Sequence, residues 1–147
     1  MAEQTQTTAP AADPFTKCKE IVSKSSDFYD IDVRFSSEHI EKTALIYVQK
    51  NFWGRAGKQH VFLAAHVALE SQNSEKPPQK FVECLRKATE YYEKYLPNVV
   101  EKYKPAYGQL IDNLKFLISN PDAAFKAELD ILRKTGKIKT VGLQLAK

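Results

Sequence analysis

The segment Trp53–His60 carries the residue types best suited to binding an anion. Two glycines, two permanent cations and a histidine occur close together, as Gly54, Arg55, Gly57, Lys58 and His60. Glycine tolerates positive φ, so backbone N–H groups can converge on a phosphate or carboxylate. The segment also precedes an apolar stretch typical of a helix, whose N-terminus favours negative charge. It is not a P-loop, which needs four residues between its glycines and Ser or Thr after its lysine.

We interpret Asn51–His60 as a loop and predict a weak, salt-sensitive anion site on those five residues. His60 would strengthen the site as the pH falls below about 6.5, the ordinary pKa of histidine. The alternative is an exposed interhelical loop whose charges are incidental.

A second group with binding potential is a run of tyrosines and lysines between residues 87 and 107. Tyrosine is enriched at protein–protein hot spots, and aromatic rings with lysines also bind single-stranded nucleic acid. Four tyrosines fit inward-facing helical stripes: Tyr92, Tyr95, Tyr103 and Tyr107. This leaves Tyr91 as the ring predicted to be most exposed. The predicted interaction surface consists of Tyr91, Lys87, Lys94, Lys102 and Lys104, while the acids of the same run weaken the nucleic-acid interpretation.

The remaining reactive side chains indicate neither a catalytic centre nor a metal site. His60 and His66 do not have the i,i+4 spacing of a helical metal pair, and we expect His66 in the core. Cys18 and Cys84 are too far apart in sequence for a paired metal motif, so we expect two buried, reduced thiols. We therefore predict a chain without catalytic residues, metal ligands or a cofactor.

These residues are positioned by a predicted single compact bundle of five to six helices, mainly α, over residues 13–136. Asp13 and Ser36 have the residue type of helix caps. Pro78 and Pro121 begin later helices, while Pro105 either begins a helix or kinks it. Val61–Leu69 is apolar almost all round, which is typical of a central buried helix. The helix after Ser36 is predicted to turn one side inward: Ile40, Ala44, Tyr47, Val48 and Phe52.

The two ends of the chain follow different patterns. Residues 1–12 are predicted to form a flexible N-terminal tail. Apolar residues alternate with polar ones at about 29–35 and again at 138–145, which predicts a small two-stranded β element. An extended connector is the alternative for the first strand, and residues 137–147 form either a basic tail or a short strand.

Composition limits the class of protein. The 147 residues are 43% hydrophobic and 27% charged, an ordinary globular balance. No apolar run is long enough to cross a membrane, and the N-terminus has no secretory signal. The net charge of +4 is mild, so it permits an anionic partner without requiring one. We expect an intracellular, reducing compartment, the cytoplasm first and an organelle as the alternative.

The absence of a catalytic motif favours a helical protein–protein interaction module that serves as a small accessory subunit of a larger assembly. The alternative is a nucleic-acid- or phosphate-binding module that uses the Gly54–His60 segment and the basic C-terminal tail. The two differ in salt dependence, because binding through phosphates weakens steeply as salt rises.

Overall fold

The computed structural model describes residues 13–24 and 36–134, and its regular structure in those ranges is entirely helical. The described ranges contain six α-helices: α1 Pro14–Lys24, α2 Ser37–Gln49, α3 Trp53–Glu70, α4 Gln79–Tyr95, α5 Lys104–Ser119 and α6 Pro121–Lys134. None of these helices in the described ranges is long and apolar enough to span a bilayer. The prediction of a mainly α bundle of five to six helices is confirmed. The predicted strands and the two predicted tails lie outside the described residues.

Short-range signals in the sequence set where the helices begin. Asp13 caps α1 by accepting hydrogen bonds from a main-chain amide at 3.2 Å and from a threonine hydroxyl at 2.7 Å. Ser36 caps α2 by accepting from the His39 amide at 3.2 Å. Proline lies in the first turn of α5 and of α6, at Pro105 and Pro121. These boundaries agree with the prediction, since proline's missing N–H is not needed in a first turn.

The helix α3 is the centre of the bundle and packs against α2, α4 and α6. All of Val61–Leu69 is buried except Phe62, which is partly buried. This confirms the prediction that the stretch lies in the core. On the other side of the bundle α1 packs against α6, and α5 packs against α4. The Phe81 and Phe125 rings meet edge to face across the core with centroids 5.5 Å apart, a favoured aromatic geometry.

The interpretation of Asn51–His60 as a loop is wrong, because α3 begins at Trp53. Only three residues connect it to the end of α2. Asn51 makes the turn with φ of 60°, a left-handed conformation that asparagine adopts more readily than most residues. Gly54 and Gly57 are therefore helical. They serve the close packing of α3 against α4 rather than a turn.

Two aromatic rings predicted to face the core lie at the surface instead. Tyr103 is 51% exposed because it belongs to a short 3-10 turn, Glu101–Tyr103, that precedes α5. Phe52 is 45% exposed because it lies beyond the end of α2, so the helical periodicity that would place it on the inner side no longer applies.

Candidate functional site

The first turns of α3 pack closely against the last turns of α4, which runs in the opposite direction. A Cβ atom at Gly54 would lie 2.9 Å from Cε2 of Tyr95, and one at Gly57 would lie 2.9 Å from Cδ2 of Tyr92. Ordinary van der Waals contact begins at 3.4 Å, so a larger residue would force these rings to move. The two glycines thus allow two tyrosines of α4 to lie directly on the α3 backbone.

A cavity of about 500 Å³ opens beside this contact, at the beginning of α3. Half of its lining residues are aromatic and two are cations; it is lined by Asn51, Phe52, Trp53, Gly54, Arg55, Lys58, Tyr92, Tyr95, Asn98 and Tyr107. Ligand pockets typically measure roughly 300–1,000 Å³ and have mainly apolar and aromatic walls with a few polar groups. A second hollow of about 520 Å³ is lined instead mostly by charged side chains of both signs. Among the described residues, the first cavity is therefore the better candidate site.

Trp53 forms a flat aromatic surface at this cavity. Its ring stacks on Tyr91 with centroids 5.7 Å apart and planes 6° from parallel. Nζ of Lys94 lies 4.6 Å from the Trp53 centroid, within the range of a cation–π interaction. The prediction that Tyr91 is the most exposed ring of its run is wrong, because the stack leaves it only partly exposed. Burial also raises the pKa of the Tyr91 phenol.

The beginning of α3 is electropositive. Phe52 occupies the N-cap position without a side-chain hydrogen bond to the helix, and the first turn contains no acid. The dipole and the free amides at a helix N-terminus favour negative charge. Arg55 and Lys58 add two cations to the cavity wall, and no Asp or Glu occurs between Lys42 and Glu70. The local field therefore suits an anionic group.

Two carboxylates of α4 flank Tyr91 and Tyr92 in sequence, and both have lysine partners. Glu90 lies 3.9 Å from Nζ of Lys94, and Glu93 lies 3.1 Å from Nζ of Lys115. Exposed pairs of this kind contribute little to stability, but each lysine offsets the negative charge beside it. The α4 side of the cavity is therefore not strongly acidic.

The structure brings together three of the five predicted anion-binding residues, Gly54, Arg55 and Lys58. Gly57 and His60 are buried instead. Nδ1 of His60 lies 2.7 Å from the carbonyl oxygen of Ala56, and since a carbonyl only accepts, Nδ1 is the donor. Burial lowers the pKa of His60 from 6.5. His60 therefore becomes protonated only at a lower pH than the predicted anion site requires.

The predicted interaction surface is divided by the fold. Tyr91 and Lys94 join Trp53, while Lys87 is exposed further back along α4. The two remaining lysines lie in the α4–α5 connection and at the start of α5. Nζ of Lys102 lies 5.0 Å from the centroid of the neighbouring Tyr103 ring, and Lys104 pairs with Glu101 at 2.9 Å.

Sequence reasoning missed an apolar surface where α2 meets α3. Leu45 is 52% exposed and Ile46 is 50% exposed on the second half of α2, and Phe52 follows in the connection to α3. We term these three residues the α2–α3 corner. The unbroken apolar run Ala44–Val48 could have indicated this surface. Five consecutive apolar residues extend over more of a helix than the one stripe that faces the core, so some of them must lie at the surface or contact another element.

Two cysteines and one glutamate are also buried outside the lining of the cavity. Cys18 and Cys84 are free and buried, as predicted, and burial raises their pKa values to about 11 and about 12. Both thiols are therefore protonated and poorly nucleophilic near neutral pH. Glu128 of α6 is fully buried, and neither carboxyl oxygen has a hydrogen-bond partner within residues 13–24 and 36–134. Burial raises the pKa of Glu128 well above its ordinary value.

Comparisons with protein-family models, with curated proteins and with solved structures found no match to this chain. The case for a function therefore rests on the cavity, the α2–α3 corner and the charges around them.

Proposed function

We propose that this chain is a non-catalytic helical protein–protein interaction module and serves as an accessory subunit of a larger assembly. The observation that carries the proposal is the α2–α3 corner, formed by Leu45, Ile46 and Phe52. Each of these large apolar side chains is about half exposed, at 52%, 50% and 45%. Apolar clusters of this kind on a soluble surface are typical of contact sites for other proteins.

The corner exists because α2 lies at the edge of the bundle. Its main contact is with α3, and of its residues only Ile40 and Ala44 are buried. Full burial of a large apolar side chain contributes roughly 1.5–3 kcal/mol, so covering the exposed half of three such side chains would contribute about 3 kcal/mol to association. A partner that covers the corner would therefore gain a substantial part of its binding free energy there.

Charge around the corner favours an acidic partner. Lys50 lies in the connection between α2 and α3, and Arg55 and Lys58 follow in the first turns of α3. No acid occurs in this part of the sequence, from Lys42 to Leu69. Complementary charge speeds encounter and selects among partners more than it adds affinity. We therefore expect a partner whose contact surface combines apolar and acidic side chains.

The test is affinity capture with the full chain as bait, comparing Leu45→Ser/Ile46→Ser with Val100→Ser. Val100 is 64% exposed and does not belong to the corner, so it controls for the loss of a surface apolar residue. We expect protein partners, identified by mass spectrometry, that the double variant loses and that Val100→Ser retains. Nuclease treatment should not change the result. Equal recovery with all three baits would refute the corner as the interaction surface.

The second candidate function is binding of nucleic acid or phosphate. It is supported by the two cations at the beginning of α3, Arg55 and Lys58, beside the flat ring of Trp53. The basic C-terminal tail, with no acid after Asp130, would add phosphate contacts. In this case the captured proteins should disappear with nuclease, and binding should weaken by orders of magnitude between about 50 mM and 200 mM salt.

A further inference from the structure

We infer that the cavity at the beginning of α3 receives a bulky apolar side chain from an acidic segment of the partner protein. The carboxylates on either side of that side chain pair with the cations around the cavity. This inference rests on the proposed function and specifies its partner. Three observations lead to it: the size and aromatic wall of the cavity, the residue that it shares with the α2–α3 corner, and the arrangement of the cations at its edge.

The cavity has the size and wall of a pocket for an apolar anchor. Its volume is about 500 Å³, and five aromatic rings line it: Phe52, Trp53, Tyr92, Tyr95 and Tyr107. The most strongly bound residues of protein interfaces are commonly large side chains seated in well-packed pockets of this kind. A wall so rich in aromatic rings gives a bulky apolar side chain far more contact than it gives a small polar ion.

Phe52 joins the cavity to the α2–α3 corner. It lines the cavity, and it is also one of the three exposed apolar residues of the corner. A partner segment that covers Phe52 therefore lies at the wall of the cavity. Phe52 is the residue that the corner and the pocket share.

The cations around the cavity lie against different rings. The guanidinium carbon of Arg55 is 5.6 Å from the Phe52 centroid, and Nζ of Lys58 is 5.9 Å from the Phe62 centroid. Lys94 lies over Trp53 at 4.6 Å. No Asp or Glu is among the described residues that line the cavity. Because Lys94 also pairs with Glu90 at 3.9 Å, Arg55 and Lys58 are the cations that line the cavity. Their positions against two different rings suit two separate carboxylates better than one phosphate.

The backbone also argues against a phosphate cradle. A phosphate loop requires successive amides to point at one ion from an open, glycine-rich turn. Here Gly54 and Gly57 are helical, and α4 tyrosines cover both of them. Gly57 lies beyond the first turn of α3, where its amide bonds within the helix, so the two glycine amides do not converge on one ion. Among anions, the site favours a carboxylate-bearing peptide over a nucleotide.

The experiment uses Trp53, the single tryptophan of the chain, as a fluorescent reporter in the full-length protein. The probe is a short synthetic peptide with a central phenylalanine between pairs of aspartates. One control peptide has glycine at the centre, and a second has asparagine in place of the aspartates. Inorganic phosphate and adenosine monophosphate are titrated separately. Backbone amide shifts of Gly54 and Arg55 report whether binding occurs at the cavity.

We expect saturable binding of the phenylalanine–aspartate peptide, at least tenfold tighter than that of either control peptide. The variant Arg55→Gln/Lys58→Gln should weaken it at least tenfold, because both charges are removed while most of each stem is kept. The matched control is Lys76→Gln/Lys126→Gln, which removes the same charge at the second hollow and should leave binding unchanged. Unfolding curves of both variants check the fold, and Lys58→Gln alone replaces the double variant if that variant is unstable.

The inference is overturned if phosphate or the nucleotide binds more tightly than the peptide, or if the peptide leaves Trp53 unchanged at millimolar concentration. Equal loss with both double variants would also overturn it, since binding would then follow net charge. Failure here is separable from failure of the proposed function. Partner capture that depends on Leu45 and Ile46 would still support the interaction module even if no peptide enters the cavity.

Discussion

Replacing Gly57 with alanine is expected to destabilise the protein, although alanine is the better helix former. The added Cβ would lie 2.9 Å from Cδ2 of Tyr92, about 0.5 Å closer than ordinary contact. The nearest atoms include Cγ, at the base of the ring, so rotation of the ring does not relieve the clash. Tyr92 is only 3% exposed and packs against Tyr107 with centroids 6.0 Å apart. The ring therefore has little room to move.

The size of the effect follows from two opposing contributions. Overpacking a well-filled core costs typically 1–3 kcal/mol, whereas replacing glycine with alanine inside a helix contributes about 1 kcal/mol in the other direction. Because Tyr92 cannot shift freely, we expect a net loss of about 1 kcal/mol in the free energy of unfolding. For a chain of this length the melting temperature should fall by roughly 2–4 °C.

Gly54→Ala is the matched control. Its nearest atoms are Cε2, Cδ2 and Cζ along one edge of the Tyr95 ring, at 2.9 to 3.0 Å, and do not include Cγ. Tyr95 is also only partly buried. This ring can swing towards solvent, so we expect a change within about 0.5 kcal/mol, the usual size for surface substitutions.

Urea unfolding followed by circular dichroism at 222 nm measures all three proteins. A double-mutant cycle with Tyr92→Leu then isolates the contact, because a smaller side chain should remove most of the cost of Gly57→Ala. The reasoning fails if Gly57→Ala is as stable as the wild type, or if its cost is the same in the Tyr92→Leu background.

Two further predictions concern the buried ionisable groups. Glu128→Leu should raise the free energy of unfolding at pH 7 by about 1–3 kcal/mol, since it removes a buried polar group without a partner. Burial raises the folded-state pKa of Glu128 above 4.5. Glu128 therefore destabilises the fold least below pH 4.5, where its carboxyl is protonated in both the folded and the unfolded state. The free energy of unfolding falls as the pH rises from 4.5 to the raised pKa. The advantage of the leucine variant should therefore grow with pH in melting curves, and a difference independent of pH would contradict this. Cys18 and Cys84, with pKa values raised by burial to about 11 and about 12, should react with a thiol reagent only after unfolding. Rapid labelling of both without denaturant would show that one side of the bundle opens readily.

Much of the fold could be predicted because its signals are local. Asp13 and Ser36 cap their helices as their residue types suggest, and prolines mark the starts of α5 and α6. Val61–Leu69 is buried because a segment apolar on all sides has no other stable place in water. Caps, prolines and apolar periodicity act within a few residues, so they operate in the same way whatever the rest of the chain does.

The candidate site could be predicted only in part. Arg55 and Lys58 do lie together beside a cavity, and their closeness in sequence was sufficient to suggest this. The aromatic wall was missed, because its rings come from the α2–α3 connection and from α3, α4 and α5. The α2–α3 corner was missed as well, because exposure of Leu45 and Ile46 depends on tertiary packing: among the described helices, the main contact of α2 is with α3.

Residue type and spacing alone indicate where the helices begin, which stretch is central and which cations are neighbours. The role of the two glycines depends on how the folded chain packs. Glycine is both a flexible loop residue and the smallest helix residue, and local propensity favours the loop by about 1 kcal/mol per position. The deciding contribution comes from Tyr92 and Tyr95, whose rings require a helix surface without Cβ atoms at Gly57 and Gly54. That contribution exists only once α3 and α4 pack together, so no pattern within either segment could reveal it.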